Sequence, residues 1–193
     1  MKRCWESSDP AYNVYHDEEW GRPVVDEHGL YERLCLEGFQ SGLSWLTILR
    51  KREGFRAAFA GFDPERVARF GARDVKRLLG DASIVRHRGK IEAAIANAQA
   101  TLSLRETETP LPLLVWSHRP AKHRAPRSHA DWRGHTDESA ALSKALRKSG
   151  FRFVGPTTVY AAMQACGVVN DHLVSCSSRK AVVRDLAAAR IPA

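Results

Sequence analysis

No stretch of this 193-residue chain carries an apolar run near the roughly 20 residues that a membrane-spanning helix requires. The opening residues, MKRCWESSDP, also lack the apolar segment of a secretion signal, so the protein is expected to stay in the cytosol. Cysteine is scarce: Cys4, Cys35, Cys166 and Cys176 are the only four. In a reducing compartment such residues are thiols or metal ligands rather than a disulfide framework. Segments that alternate polar and apolar residues are few, and no repeat of the solenoid kind recurs, which leaves an all-α chain. Acidic residues are in deficit, with 22 Asp and Glu against 30 Lys and Arg and a formal net charge of +8. That imbalance points to a polyanionic partner, nucleic acid ahead of a membrane surface.

What is present fits one globular domain, with 44% hydrophobic residues and enough length to bury a core. Helical periodicity runs through GLYERLCLEGFQ, then through WLTILRKREGFRAAFAGF with Ser44 as its N-cap. Asp63-Pro64 is a helix-start signal for PERVARF, and ARDVKRLLG follows, ending at Gly80. GKIEAAIANAQATLSL is strongly periodic, DESAALSKALRKSG ends on Gly150, and GPTTVYAAMQACGVVNDHLVSC reads as one or two helices more. The segment SHRPAKHRAPRSHADWRGH, residues 117–135, breaks the pattern. It is proline-broken, basic and histidine-rich, and reads as a solvated loop that could brush a phosphate backbone.

Three groups of residues carry chemistry. In the first periodic segment the apolar stripe through Leu30 and Leu34 continues onto Glu37, a carboxylate aimed where a core leucine belongs. A buried carboxylate is costly without a partner, which is either a ligand or a structural donor such as Arg33. Nearby in sequence lie Trp5, Tyr12, Tyr15, Trp20 and Trp45. Each is core by default, but several rings with one carboxylate are also what a pocket for a flat, cationic heterocycle needs, through stacking, cation–π attraction and acceptance from N–H groups. The third group sits at the chain ends: Cys4-x11-His16 near the start and His172-x3-Cys176 near the finish. Two thiols and two imidazoles form the ligand set of a closed zinc site, with His172 and Cys176 placed on one helical face. Spacing alone leaves open a second reading, buried cysteines and hydrogen-bonded histidines.

The blocks RCW…DPAYNVYHDEEWG, LCLEGFQSGLSW, IVRHRGKIEAAIANA, LSKALRKSGFRFVG and MQACGVVNDHLVSC, in this order, resemble the 3-methyladenine DNA glycosylase I family. The likeness reaches to about Cys176 and leaves out the basic loop and the 17 residues that follow. It implies an all-helical helix-hairpin-helix glycosylase fold, single-domain over residues 1–193, with the termini joined by structural zinc on Cys4, His16, His172 and Cys176. It further implies a DNA repair enzyme that hydrolyses the N-glycosidic bond of 3-methyladenine in alkylated double-stranded DNA, as a monomer without an obligate protein partner. The family's base-recognition glutamate, the one catalytic assignment, falls on Glu37. Its stacking aromatics fall on Tyr15 and Trp45, with Tyr12 and Trp5 at the pocket wall and Trp20 left as a packing residue.

The segment DASIVRHRGK is then the expected DNA grip, a hairpin leading into a helix that opens at Gly89. Its amides and helix N-terminus would face phosphate, with positive charge from Arg86, His87, Arg88 and Lys90 and with Lys144 and Lys148 as a second basic element. Ser83 and Val85 stand where the usual hairpin has glycines. Lys90 lies outside the pocket residues, which favours hydrolysis over Schiff-base chemistry. No second carboxylate is evident for activating water, Asp171 being a candidate by proximity to His172 alone. A zinc-stapled DNA-binding module would need neither Glu37 nor the rings, and a free-nucleotide hydrolase would need no hairpin.

Overall fold

A computed structural model describes residues 2–192, and every regular element among them is helical. None of these helices is long and apolar enough to cross a membrane. The central element is α2, Glu27–Gln40, preceded by the short α1, Pro10–Val14. The Asp26 side chain caps α2 by accepting from the Gly29 amide, and Leu30, Tyr31, Leu34, Leu36 and Phe39 bury its length. Such all-round burial places α2 inside the molecule, packed by α3 (Trp45–Ala58), α6 (Arg88–Arg105) and α9 (Pro156–Ala165).

Local chemistry sets the other boundaries much as the sequence suggests. Ser44 caps α3 through the Thr47 amide, and Asp63 caps α4, Pro64–Val67, with proline in the first turn. Thr136 caps α8, Asp137–Lys148, and Gly150 follows with a left-handed φ of 98°. Helices α5 (Ala72–Gly80) and α6 flank the turn of residues 81–87. The second helix opens at Arg88, one residue ahead of Gly89, because the His87 ring nitrogen accepts from the Lys90 amide as its cap. This turn rests on α3 at Gly54, where an added Cβ would stand 2.7 Å from the Ser83 backbone oxygen.

Several features depart from the expected pattern. Residues Tyr15–Glu19 form a π-helical turn directly after α1, closed by the Trp20 amide donating to the Tyr15 carbonyl. Three α-helices, α1, α7 (Leu111–Trp116) and α10 (Arg179–Ala188), were not read from the sequence. The chain between α9 and α10 is not helical: Gly167 has φ 75°, and a Cβ there would stand 2.5 Å from the Gly21 carbonyl oxygen. His172 and Cys176 therefore lie on an irregular segment rather than on one helical face, and the turn bond from the Cys176 amide to the Leu173 carbonyl brings them together instead.

Lys90 also differs from its expected place. It is buried, and its ammonium donates to the carbonyls of Phe39 at 2.8 Å and Ser41 at 2.6 Å, so it ties α6 to the C-terminal end of α2 and is not offered to phosphate. Replacing it with methionine strands both carbonyls. Lys90→Met is expected to cost about 1–3 kcal/mol, and at about 2–4 °C per kcal/mol for a chain of this size the loss is readable by calorimetry. An unchanged unfolding midpoint would refute this role.

Candidate base-binding cavity and Cys/His cluster

Helix α2 carries Glu37 to the wall of a cavity of about 290 Å³. The π turn supplies Tyr15, α3 opens with Trp45, and the N-terminal segment adds Trp5 and Tyr12. Tyr15 and Trp45 lie 5.2 Å apart between ring centroids, and Trp5 lies 5.4 Å from Tyr12. The sequence-derived residues Glu37, Tyr15, Trp45, Tyr12 and Trp5 thus meet in one place. Trp20, expected only to pack, lines the same cavity and reaches the ring of His172 at 4.6 Å on its other side.

Glu37 is 5% exposed, and burial pushes its carboxyl up to about 8, opposed only by the charge of Arg33. Arg33 is itself bonded to Glu19 at 2.9 Å, a carboxylate it shares with Arg52. The structural partner considered for Glu37 thus gives one terminal nitrogen to Glu19, keeps the other buried without a hydrogen-bond partner, and acts on Glu37 through charge alone. Two more polar groups of the wall are unpaired: the indole N–H groups of Trp5 and Trp45 are buried without a hydrogen-bond partner. Unsatisfied buried donors of this kind call for an explanation, and a ligand acceptor is one.

On the far side of the cavity, α9 contributes Ala161 and Gln164, and the 117–135 loop contributes Trp132. Asp171 organises this side. Its carboxylate accepts from Tyr160 and Gln164, each at 2.7 Å, and from His123 at 2.8 Å. Burial works against its ionisation, but the bonds from His123, Gln164 and Tyr160 outweigh this and hold it below the usual carboxylate range. A carboxylate so occupied, and absent from the lining, is not placed to activate water in the cavity. Because an ionised Asp171 can only accept, the Gln164 amide must turn its NH2 toward it, which leaves the carbonyl oxygen of Gln164 for a ligand. Sequence reasoning missed Gln164 and Trp132; a tryptophan inside an otherwise charged loop was the available signal.

Behind Trp20 the chain ends converge. The ligand atoms of Cys4, His16, His172 and Cys176 lie within 4.8 Å of one another, all four residues buried. The His172 Nδ1 is 3.4 Å from each sulfur, and His16 Nε2 is 3.6 Å from the Cys176 sulfur. Each ring is oriented by its other nitrogen: His172 Nε2 donates to the Trp20 carbonyl, and His16 Nδ1 donates to Asp17, which also binds Arg3. Burial lowers the His172 pKa to about 4 and raises that of the Cys4 thiol to about 12. The His172 Nδ1 lone pair faces the two sulfurs, the His16 Nε2 beside them accepts from the Cys4 amide at 3.1 Å, and a cation at the centre would turn the thiols into thiolates. These four residues could hold a metal ion.

Of the hairpin residues, Arg86, His87 and Arg88 are exposed, and the Gly89 amide lies in the first turn of α6. Lys144 and Lys148 are exposed on α8.

An all-helical body with a ring-lined cavity, a buried carboxylate and an exposed cationic helix entry defines a protein built to receive a flat, nitrogen-bearing ring. The chain belongs to the methyladenine glycosylase family, whose profile matches residues 5–180 and so includes the basic loop. It is 52% identical over 180 residues to DNA-3-methyladenine glycosylase 1 of Escherichia coli strain K12, covering 91% of this chain and 96% of that protein. A crystal structure of 3-methyladenine DNA glycosylase I superposes with a TM-score of 0.88 at 48% identity, over 91% of this chain and 98% of the other. A Staphylococcus aureus 3-methyladenine DNA glycosylase I, solved for the structural basis of 3-methyladenine recognition, matches with a TM-score of 0.86 at 38% identity over 90% of this chain and 93% of its own.

The raised Glu37 pKa has a signed consequence. An unfolded glutamate ionises near 4.5 and the folded one near 8, so between these values the native state holds a proton that the unfolded state has lost. Stability from this group is complete below the lower value and is lost as pH rises toward the upper. Glu37→Gln removes that slope. Between pH 5 and pH 8 the midpoint of the parent is expected to fall several degrees further than that of the variant, followed by thermal unfolding; parallel curves would show that Glu37 is not desolvated in the free protein.

Proposed function

We propose that this protein excises 3-methyladenine from alkylated double-stranded DNA by hydrolysing the N-glycosidic bond, which releases the free base and leaves an abasic site. The observation that carries the reading is Glu37, a desolvated carboxylate without a hydrogen-bonded protein partner, set among rings whose indole donors are also unpaired. The E. coli and S. aureus relatives are 3-methyladenine DNA glycosylases by name, and the cavity here has the chemistry that such a base requires.

Methylation at N3 makes the adenine a cation whose glycosidic bond is already weak. The enzyme must move the nucleotide out of the stack, at a cost of a few kcal/mol that is smallest for a lesion. Tyr15 and Trp45 stack on the base, and Tyr12 and Trp5 close the wall. Glu37 ionises against the cation and accepts from the exocyclic amine, while Gln164 offers a second acceptor. The sugar left behind is oxocarbenium-like and is captured by water. Glu37 is the carboxylate of the lining, so selection and retention of the base, rather than strong general-base catalysis, carry the rate. Arg86, His87, Arg88 and the Gly89 amide meet backbone phosphates, positioning the duplex without reading its sequence. Lys90, bonded to two carbonyls outside the cavity, gives no amine for a Schiff base, in keeping with simple hydrolysis.

Zinc fits the Cys4–His16–His172–Cys176 set. A tetrahedron with Zn–S near 2.3 Å and Zn–N near 2.0–2.1 Å has edges of about 3.3–3.8 Å; three sulfur–nitrogen separations, 3.4–3.6 Å, match these, and the set as a whole, spanning up to 4.8 Å, would draw in slightly around the ion. Its contribution is structural, tying the chain ends behind Trp20. The cavity and the cluster need no residue from a second copy of the chain, which supports reading the working unit as a monomer; a cytosolic location belongs to the same proposal.

Free-base release from methylated duplex DNA tests the activity. The parent is expected to release 3-methyladenine, and Glu37→Gln to do so about 10–100-fold more slowly, each tenfold being worth about 1.4 kcal/mol. DNA binding without base release by either protein would make this a zinc-stapled binding module instead. For the metal, elemental analysis should find one zinc per chain. Chelation, or Cys176→Ser, should lower the unfolding midpoint, and a chelated protein melting like the untreated one would count against a structural metal.

A further inference from the structure

The 117–135 loop has the composition of a solvated segment, yet it is fastened to the body at both ends of its path. The His123 ring pairs with Asp171 at 2.8 Å, the Pro126 carbonyl accepts from the Val174 amide, and the His129 ring bonds the Cys4 carbonyl. Trp132 completes the attachment by donating its indole N–H to the Asp171 carbonyl at 3.0 Å. These anchors bring one large ring to a set place, 6.2 Å from Trp5 and 6.1 Å from Trp20, edge-on to both at 73° and 70°. There it lines the cavity that holds Glu37, beside Ala161 and Gln164.

We propose that Trp132 is a base-binding and specificity-determining residue, the outer wall of the cavity, which retains a flat methylated purine after Glu37 and the inner rings have engaged it. The inference rests on the reading of the cavity as the 3-methyladenine site. Among the described residues the other rings of the lining belong to the first 45 positions, so Trp132 is the ring supplied from the opposite half of the chain. On that half the neighbouring wall is shallow, since Ala161 presents only a methyl group, and a ligand there would meet too little apolar surface without the indole. The indole anchors through its N–H and packs edge-on against two neighbours. The His129 ring stands 4.7 Å from it at 52°, yet Trp132 stays half-buried and lines the cavity, so ring surface is left for a ligand. Its wall is mounted on Asp171, the same residue that orients Gln164, so the stacking surface and the second acceptor are aligned together.

The test is equilibrium binding of free 3-methyladenine to the full chain by calorimetry, with Trp132→Ala and Trp132→Phe beside the parent. The alanine variant is expected to bind about tenfold more weakly, equivalent to 1.4 kcal/mol, and the phenylalanine variant to stay within about threefold of the parent. Intermolecular NOEs from the base to the Trp132 ring protons in the parent protein should accompany this, and they decide the matter if the alanine variant does not fold. Parent-like affinity in Trp132→Ala, equal losses in both variants, or absence of those NOEs would each overturn the assignment while leaving the cavity's function intact. A parent protein that binds no 3-methyladenine would instead bring down the reading of the cavity, and this inference with it.

Discussion

The organisation of this protein turns on the desolvation of one carboxylate. Taking Glu37 out of water without a bonded partner is unfavourable, and the residues around it leave that cost in place: Arg33 is engaged by Glu19, and the nearby indole donors are left unpaired. The same low-polarity surroundings that raise the pKa to about 8 strengthen any attraction to an incoming cation. On the proposed function, a neutral purine would offer less to offset the cost of ionising the group, and discrimination for a charged lesion would be contained in the free protein before any base arrives.

The scaffold holds that arrangement in place from two sides. On one, the buried ends of the chain converge behind Trp20, so that the Cys/His cluster backs the same indole that faces the cavity. On the other, Lys90 fixes the entry helix of the hairpin to the last turn of the helix bearing Glu37. The exposed segment Arg86 to Arg88, the proposed duplex contact, is thus joined to the wall of the cavity through one side chain and two carbonyls.

Much of this was legible in the sequence because it depended on local rules. The caps at Ser44 and Asp63 and the inward stripe ending on Glu37 follow from side-chain chemistry within a turn or two. The gathering of Cys4, His16, His172 and Cys176 was indicated by ligand type, although the helix assumed for the second pair does not exist; Gly167 ends α9 first because the chain must pass the Gly21 carbonyl. What stayed hidden was decided at long range. Lys90 sits among basic neighbours and looks solvated, yet its fate depends on carbonyls some fifty residues earlier in the chain. The loop at 117–135 reads as surface by composition, and only its docking on Asp171, Val174 and Cys4 makes Trp132 part of a cavity.

The π turn at Tyr15–Glu19 serves three purposes in five residues. Tyr15 faces the cavity, His16 faces the Cys/His cluster, and Glu19 clamps Arg33 and Arg52. Along a helix each residue added or removed swings all that follow by about 100°. A deletion ahead of this turn would carry the imidazole to where the phenol now faces the cavity, and an insertion would carry the phenol to where the imidazole now faces the thiols. A change in the length of this segment is therefore expected to disturb the cavity, the cluster and the arginine pair together, whereas a change of a single side chain need disturb only one of them.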